Sequence, residues 1–188
     1  MKPLFSYYGA KYTAAKHMGP PRRDLVIEPF AGSACYSTRW EPPLVRLYDV
    51  SQDICDLWDF LIKSSERDIR SIPDTFEHMD EVLSLPRGPQ LLVRFWIAKG
   101  RAEPSNAISP WYFSWRKADS CRVWSSAVKD RVITQKPRIS AWTIDQASWD
   151  AIPLVDAHWH VDPPYNNEPG SRYPHSHVDD SALAAWCK

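Results

Sequence analysis

The chain has no C-x-x-C pair, no long hydrophobic run, no net charge and no glycine-rich fingerprint, and each lack excludes something. The four cysteines, Cys35, Cys55, Cys121 and Cys187, are widely scattered, which excludes a zinc ribbon or finger built on paired ligands at short spacing. With no secretory signal they read as free thiols in a reducing cytosol. No apolar run approaches the length that spans a bilayer, and the N-terminus MKPLFSYYGAKY lacks a signal-peptide core. A cytoplasmic protein with no membrane partner is therefore expected. Its 23 basic and 23 acidic residues cancel, so overall composition does not announce a nucleic-acid binder. What is plentiful is aromatic and stiff: ten Trp and seventeen Pro in 188 residues. These suggest flat contact surfaces and long, rigid connections. The 44% hydrophobic and 24% charged content excludes a disordered chain, and the length suits one domain or one domain with an insertion.

Charge is distributed unevenly. Residues 87–138 hold eleven basic residues against three acids, leaving twelve basic and twenty acidic residues elsewhere. Phe95, Trp96, Trp111, Tyr112, Phe113, Trp115 and Trp124 are interleaved with these cations. That combination suits a nucleic-acid-facing module in an acidic body, and it equally suits a helical subdomain with a solvated basic face. Arg116, Lys117 and Arg122 are the cations singled out as candidate DNA contacts.

The flanks read as α/β. Leu25-Val26-Ile27 predicts a strand entering the turn Glu28-Pro29-Phe30-Ala31-Gly32-Ser33-Ala34, and 44–48 predicts a second strand closed by Asp49. Ser51 is a plausible N-cap for a helix whose apolar face is Ile54, Leu57, Trp58, Leu61 and Ile62. Residues 139–144 and 154–161 are the third and fourth strand candidates, and 179–188 suggest a closing helix. This order suggests a doubly wound sheet interrupted by an inserted module.

Two constellations carry chemistry. Gly32 at a strand-to-helix turn lets backbone approach a ligand, and Asp49, 17 residues on, is placed to grip ribose hydroxyls. Asp162-Pro163-Pro164-Tyr165 follows an apolar strand. Its prolines leave free carbonyls, so an acid, a carbonyl and an aromatic wall form a slot for a planar group bearing an NH₂.

These motifs resemble the Dam-like DNA adenine methyltransferases, especially phage-type members. Phe5-Ser6-Tyr7-Tyr8-Gly9-Ala10-Lys11 is similar to the family's W-x-G-G-K motif, with Tyr7 at the tryptophan position and Ala10 replacing a glycine. Glu28 to Ala34 is similar to E-P-F-x-G-x-G, with Ala34 replacing the last glycine, and Asp162 to Tyr165 matches D-P-P-Y in full. Ser148-Trp149 stands where the family often carries Asp-Phe near the cofactor's adenine.

The resemblance implies a Rossmann-like S-adenosylmethionine-dependent sheet, its first four strands present, with an inserted, mainly helical target-recognition region. Residues 1–65 become the cofactor-binding half, 66–137 the insertion and 138–188 an incomplete catalytic half. Tyr7, Lys11, Phe30, Gly32, Asp49 and Asp162 are then cofactor-binding, and Asp162, Pro163, Pro164 and Tyr165 catalytic. The implied reaction methylates the exocyclic amine of an adenine flipped out of double-stranded DNA. The resemblance also implies a bacterial or phage-encoded monomer, with a companion restriction nuclease as one biological setting. The family's fifth to seventh strands have no counterpart before Lys188. On that reading the fourth strand is an exposed edge and these residues alone are inactive or aggregation-prone.

Other readings compete. His158-Trp159-His160-Val161-Asp162 is an H-x-H-x-D string that on a strand directs three ligands to one side, with His175 and His177 as further ligands of a metal-dependent hydrolase. Pro163 standing where such sites usually carry a further His argues against it, and no metal is expected. A non-catalytic DNA-binding module, or a methyltransferase acting on cytosine or on protein glutamine, completes the set.

Overall fold

A computed structural model describes residues 1–116, 121–168, 170–175 and 177–188. The chain is α/β, with four parallel strands in the order β3-β2-β1-β4. β1 (Leu25–Glu28) buries Val26, Ile27 and Glu28, and pairs with β2 (Leu44–Asp49) on one side and β4 (His158–Trp159) on the other. β3 (Thr143–Gln146) lies outside β2, with Asp49 opposite Gln146. Buried on both sides, β1 is the near-continuous apolar run that a central parallel strand requires.

Two strand expectations need correction. Residues 136–139 form a 3-10 turn carrying Pro137, and the chain turns again before β3, so the third strand starts at Thr143 rather than Ile139. The fourth strand is much shorter than 154–161. Only His158 and Trp159 face residues of β1, with the ladder extended by His160 N–H donating to the Ile27 carbonyl at 2.9 Å. In that register Ala157 falls opposite Leu25, and residues 154–156 precede the start of β1, leaving Leu154 67% exposed. Pairing, not apolarity, sets where these strands begin.

α1 (Tyr12–Ala15) follows the N-terminal loop, and α2 (Cys35–Trp40) follows the turn after β1. α3 (Gln52–Lys63) buries Ile54, Leu57, Trp58 and Leu61, the face expected from spacing. Ser51 is its N-cap, but its side chain makes no capping bond; the Asp49 carboxylate accepts from the Ser51 N–H instead, at 2.9 Å. Among the described residues five α-helices then precede β3: α4 (Glu66–Arg70), α5 (Met79–Leu83), α6 (Arg87–Ile97), α7 (Pro110–Trp115) and α8 (Ser126–Gln135). Their apolar faces join the sheet's core. Phe5 and Phe95 meet at 5.3 Å between ring centres, and Trp58 and Trp142 at 5.7 Å. α9 (Asp180–Trp186) is capped by the Asp179 carboxylate accepting from the Ser181 and Ala182 N–H groups. Cys35 and Cys55 are buried free thiols and Cys121 and Cys187 exposed ones. Among the described residues no helix is long and apolar enough to cross a membrane.

Candidate functional site

The first and fourth strands lie side by side, and the segments leaving their C-terminal ends wall one cleft of about 730 Å³. This is where an open parallel sheet changes winding direction and where ligands of such sheets bind. Tyr7, Lys11, Phe30, Gly32, Asp49, Asp162, Pro163, Pro164 and Tyr165, separated by more than 150 residues in sequence, all line it. Ser148 and Trp149 line it as well.

The turn after β1 is held from three sides. The Gly32 N–H donates to Asp49 Oδ2 at 2.9 Å, and its carbonyl accepts from the Trp58 indole at 2.8 Å. Gly32 has φ +43°, and a Cβ there would stand 2.9 Å from the Tyr7 ring. No larger residue fits that close approach without displacing Tyr7. Asp49 thereby joins β1's turn to the start of α3 through its two oxygens, each of which retains acceptor capacity. Burial raises its pKa, against the Gly32 and Ser51 hydrogen bonds that favour the charged form.

On the opposite wall the Lys11 ammonium pairs with Asp162 Oδ1 and lies 4.4 Å from the centre of the Tyr165 ring. Burial pulls the Lys11 pKa down, but hydrogen bonding to Asp162 and Tyr165 outweighs it and leaves it raised. Tyr165 is half exposed, an aromatic face at the cleft's mouth. The segment after it folds back tightly. The Asn167 N–H donates to the Tyr165 carbonyl, and a Cβ on Gly170 would stand only 1.6 Å from that same oxygen. Tyr173 then donates to the Tyr8 carbonyl at 3.2 Å and Arg172 lies over the Tyr8 ring, fastening the loop after β4 to the N-terminal one.

Several cleft residues were absent from the sequence-derived site. Glu28 is buried at the end of β1, accepts from the Ser37 N–H at 2.9 Å, and has its pKa pushed up to about 7 by burial. It stood inside the quoted motif, and its carboxyl at the end of a buried strand was the available signal. Tyr173 had no local signal, because only the return of its loop brings it to the cleft.

His158 and His160 do share a side, but both stack on Tyr36, at 5.0 Å and 4.5 Å between ring centres. Burial lowers the pKa of each. Asp162 is turned to Lys11 instead, and among the described residues no three of His, Cys, Asp and Glu are grouped to hold a metal ion.

The basic segment divides. Arg87 pairs with Asp53 and Asp56, Lys129 with Asp74, and Arg138 with Glu41. Lys136 donates to the Leu61 carbonyl, and Arg94 to the carbonyls of Pro104 and Ser105. Arg116 is likewise engaged, with Glu77 and the Phe76 carbonyl. Arg122 is exposed against Trp115, and Lys117 lies outside the described residues. Much of the basic stretch thus ties helices to one another.

No protein-family model matches the chain, and no curated protein does.

Proposed function

We propose that the chain is an S-adenosylmethionine-dependent methyltransferase that methylates the exocyclic amine of an adenine flipped out of DNA. The observation that carries this reading is that Asp162-Pro163-Pro164-Tyr165 and the Gly32–Asp49 turn, remote in sequence, wall one cleft at the β1/β4 switch. The cleft's volume of about 730 Å³ lies in the range of small-molecule and cofactor sites. The close-packed Gly32 backbone and the acceptor-rich Asp49 beside it fit a nucleoside with ribose hydroxyls. Tyr7, Phe30 and Trp149 add apolar wall.

When bound, S-adenosylmethionine supplies an already activated methyl group on a sulfonium. The chain's own residues deal with the amine. Adenine's amino nitrogen is a poor nucleophile because its lone pair is conjugated with the ring. The Asp162 carboxylate and a carbonyl of the Pro163-Pro164 segment accept its two N–H bonds, favouring the tetrahedral nitrogen that forms as the methyl transfers. Tyr165 offers the ring on which the extruded base stacks, which requires Lys11 to yield that face. A nitrogen–carbon bond forms, the carbon–sulfur bond breaks, and the nitrogen releases one proton. No covalent enzyme intermediate is needed.

The test is transfer of labelled methyl from S-adenosylmethionine to unmethylated DNA, followed by nucleoside analysis. N6-methyldeoxyadenosine is the expected product. Absence of cofactor binding, or label on cytosine or protein, would refute the assignment.

A further inference from the structure

Six residues from the stretch 96–131 meet at one place, where α6, α7 and α8 converge. Lys99 Nζ lies 5.3 Å from the Trp111 ring centre and 5.9 Å from that of Trp96. The Arg131 guanidinium covers Trp96 at 4.8 Å, and that of Arg122 covers Trp115 at 4.2 Å. Lys99 and Arg122 are exposed, whereas Arg131 sits deeper, with Nε and Nη2 buried and no hydrogen-bond partner among the described residues. None of the three cations forms an ion pair with a described carboxylate, unlike their neighbours Arg116, Lys129 and Arg138. Burial, and then the proximity of Arg131 and Arg122, lowers the Lys99 pKa.

Three converging cations that repel one another, one with buried donors unmet, are costly unless an anion completes them. The tryptophans hold the cations in place, since a cation lying over an aromatic face is attracted to it. The position gives the anion its identity. The Gly100 N–H donates to Ser6 Oγ at 3.3 Å and the Tyr8 N–H to the Arg101 carbonyl at 3.0 Å. The cluster therefore adjoins the Tyr7–Lys11 loop, which lines the cleft. A strand delivering a base to Tyr165 must carry its flanking phosphates across such a rim.

We infer that Lys99, Arg122 and Arg131, backed by Trp96, Trp111 and Trp115, form a phosphodiester site that grips the backbone of the DNA whose base enters the cleft. This rests on the function proposed above. It moves the main phosphate contacts away from Arg116, whose guanidinium is already committed to Glu77 and Phe76.

The experiment measures binding of the full chain to a fluorescent 20-base-pair duplex across a salt series. Lys99→Gln with Arg122→Gln should lower the slope of log K against log salt by about 2, near 0.9 for each lost phosphate contact. Lys63→Gln, at a distant exposed pair with Asp59, should leave it unchanged. Arg131→Met should weaken binding yet raise the melting temperature of the free protein, because it removes an uncompensated buried charge. An unaltered slope in the double variant overturns the site, even if cofactor binding and methyl transfer are intact. A reduced slope supports it, even if the chain fails to bind S-adenosylmethionine. Poly-L-glutamate of equal charge binding as tightly as the duplex, and being lost in the double variant, would overturn the nucleic-acid assignment in favour of an acidic polypeptide.

Discussion

Asp49 and Lys11 sit on opposite walls of the cleft, one fixed by backbone N–H groups and the other by a carboxylate. Removing either takes away a charged hydrogen-bonding group, an effect of about ten- to a hundredfold in affinity. Asp49→Ala and Lys11→Ala should therefore weaken S-adenosylmethionine binding by that factor while affecting DNA binding less. Calorimetry of the cofactor and filter binding of DNA separate the two, and unchanged cofactor affinity removes the residue from the site. Glu28 makes a different prediction. Its folded pKa of about 7 lies above its ordinary value of 4.5, so the folded chain holds a proton that the unfolded chain has lost. Stability from this group is complete below about pH 4.5 and falls as pH rises towards 7, by about 3 kcal/mol in all. Glu28→Gln keeps an acceptor for the Ser37 N–H and does not titrate. Urea unfolding at pH 5 and pH 7.5 should show the wild-type chain losing stability relative to this variant as pH rises; parallel behaviour would mean that Glu28 is ionised throughout.

At the scale of elements, the turn between β1 and α2 concentrates backbone strain. Gly32 and Ala34 both have positive φ, +43° and +45°. Gly32→Ala adds a left-handed Cβ and a collision with Tyr7, and should lower stability by about 1–2 kcal/mol as read from the urea midpoint. Ala34→Gly relieves about 1 kcal/mol of the same strain but frees the unfolded chain by a similar amount, so its midpoint should barely move. A large loss in Ala34→Gly would instead assign its value to the packing of its buried methyl group. The same turn illustrates what local sequence can tell. The β1 run, the α3 face and the tight turn were legible because each is written in adjacent residues. The lengths of β3 and β4 were not, because the partner strand decides where a ladder begins. Residues 154–156 precede the start of β1 and have no β1 residue opposite them. Arg116 looked like a free cation in sequence, and only the approach of Glu77 and Phe76 reveals its structural work.

Across the whole molecule, the parallel sheet brings two chemistries to one opening. On the proposed function, the β1 turn with Asp49 is the nucleoside-binding wall and the segment after β4 supplies acceptors for the amine; the structure brings both to one cleft. Both sets of residues were nameable from sequence, whereas their shared cleft depends on β4 returning beside β1 and on Tyr173 tying its loop to Tyr8. The central claim is that these walls divide the work, Asp49 serving the cofactor and Asp162 the reacting amine. Its most direct test measures S-adenosylmethionine affinity and N6-methyladenine formation in the same preparation of Asp162→Ala. The account predicts a loss of turnover on the order of 10²–10³, the scale of one transition-state acceptor, with cofactor affinity falling far less. Near-normal turnover in that variant would contradict it.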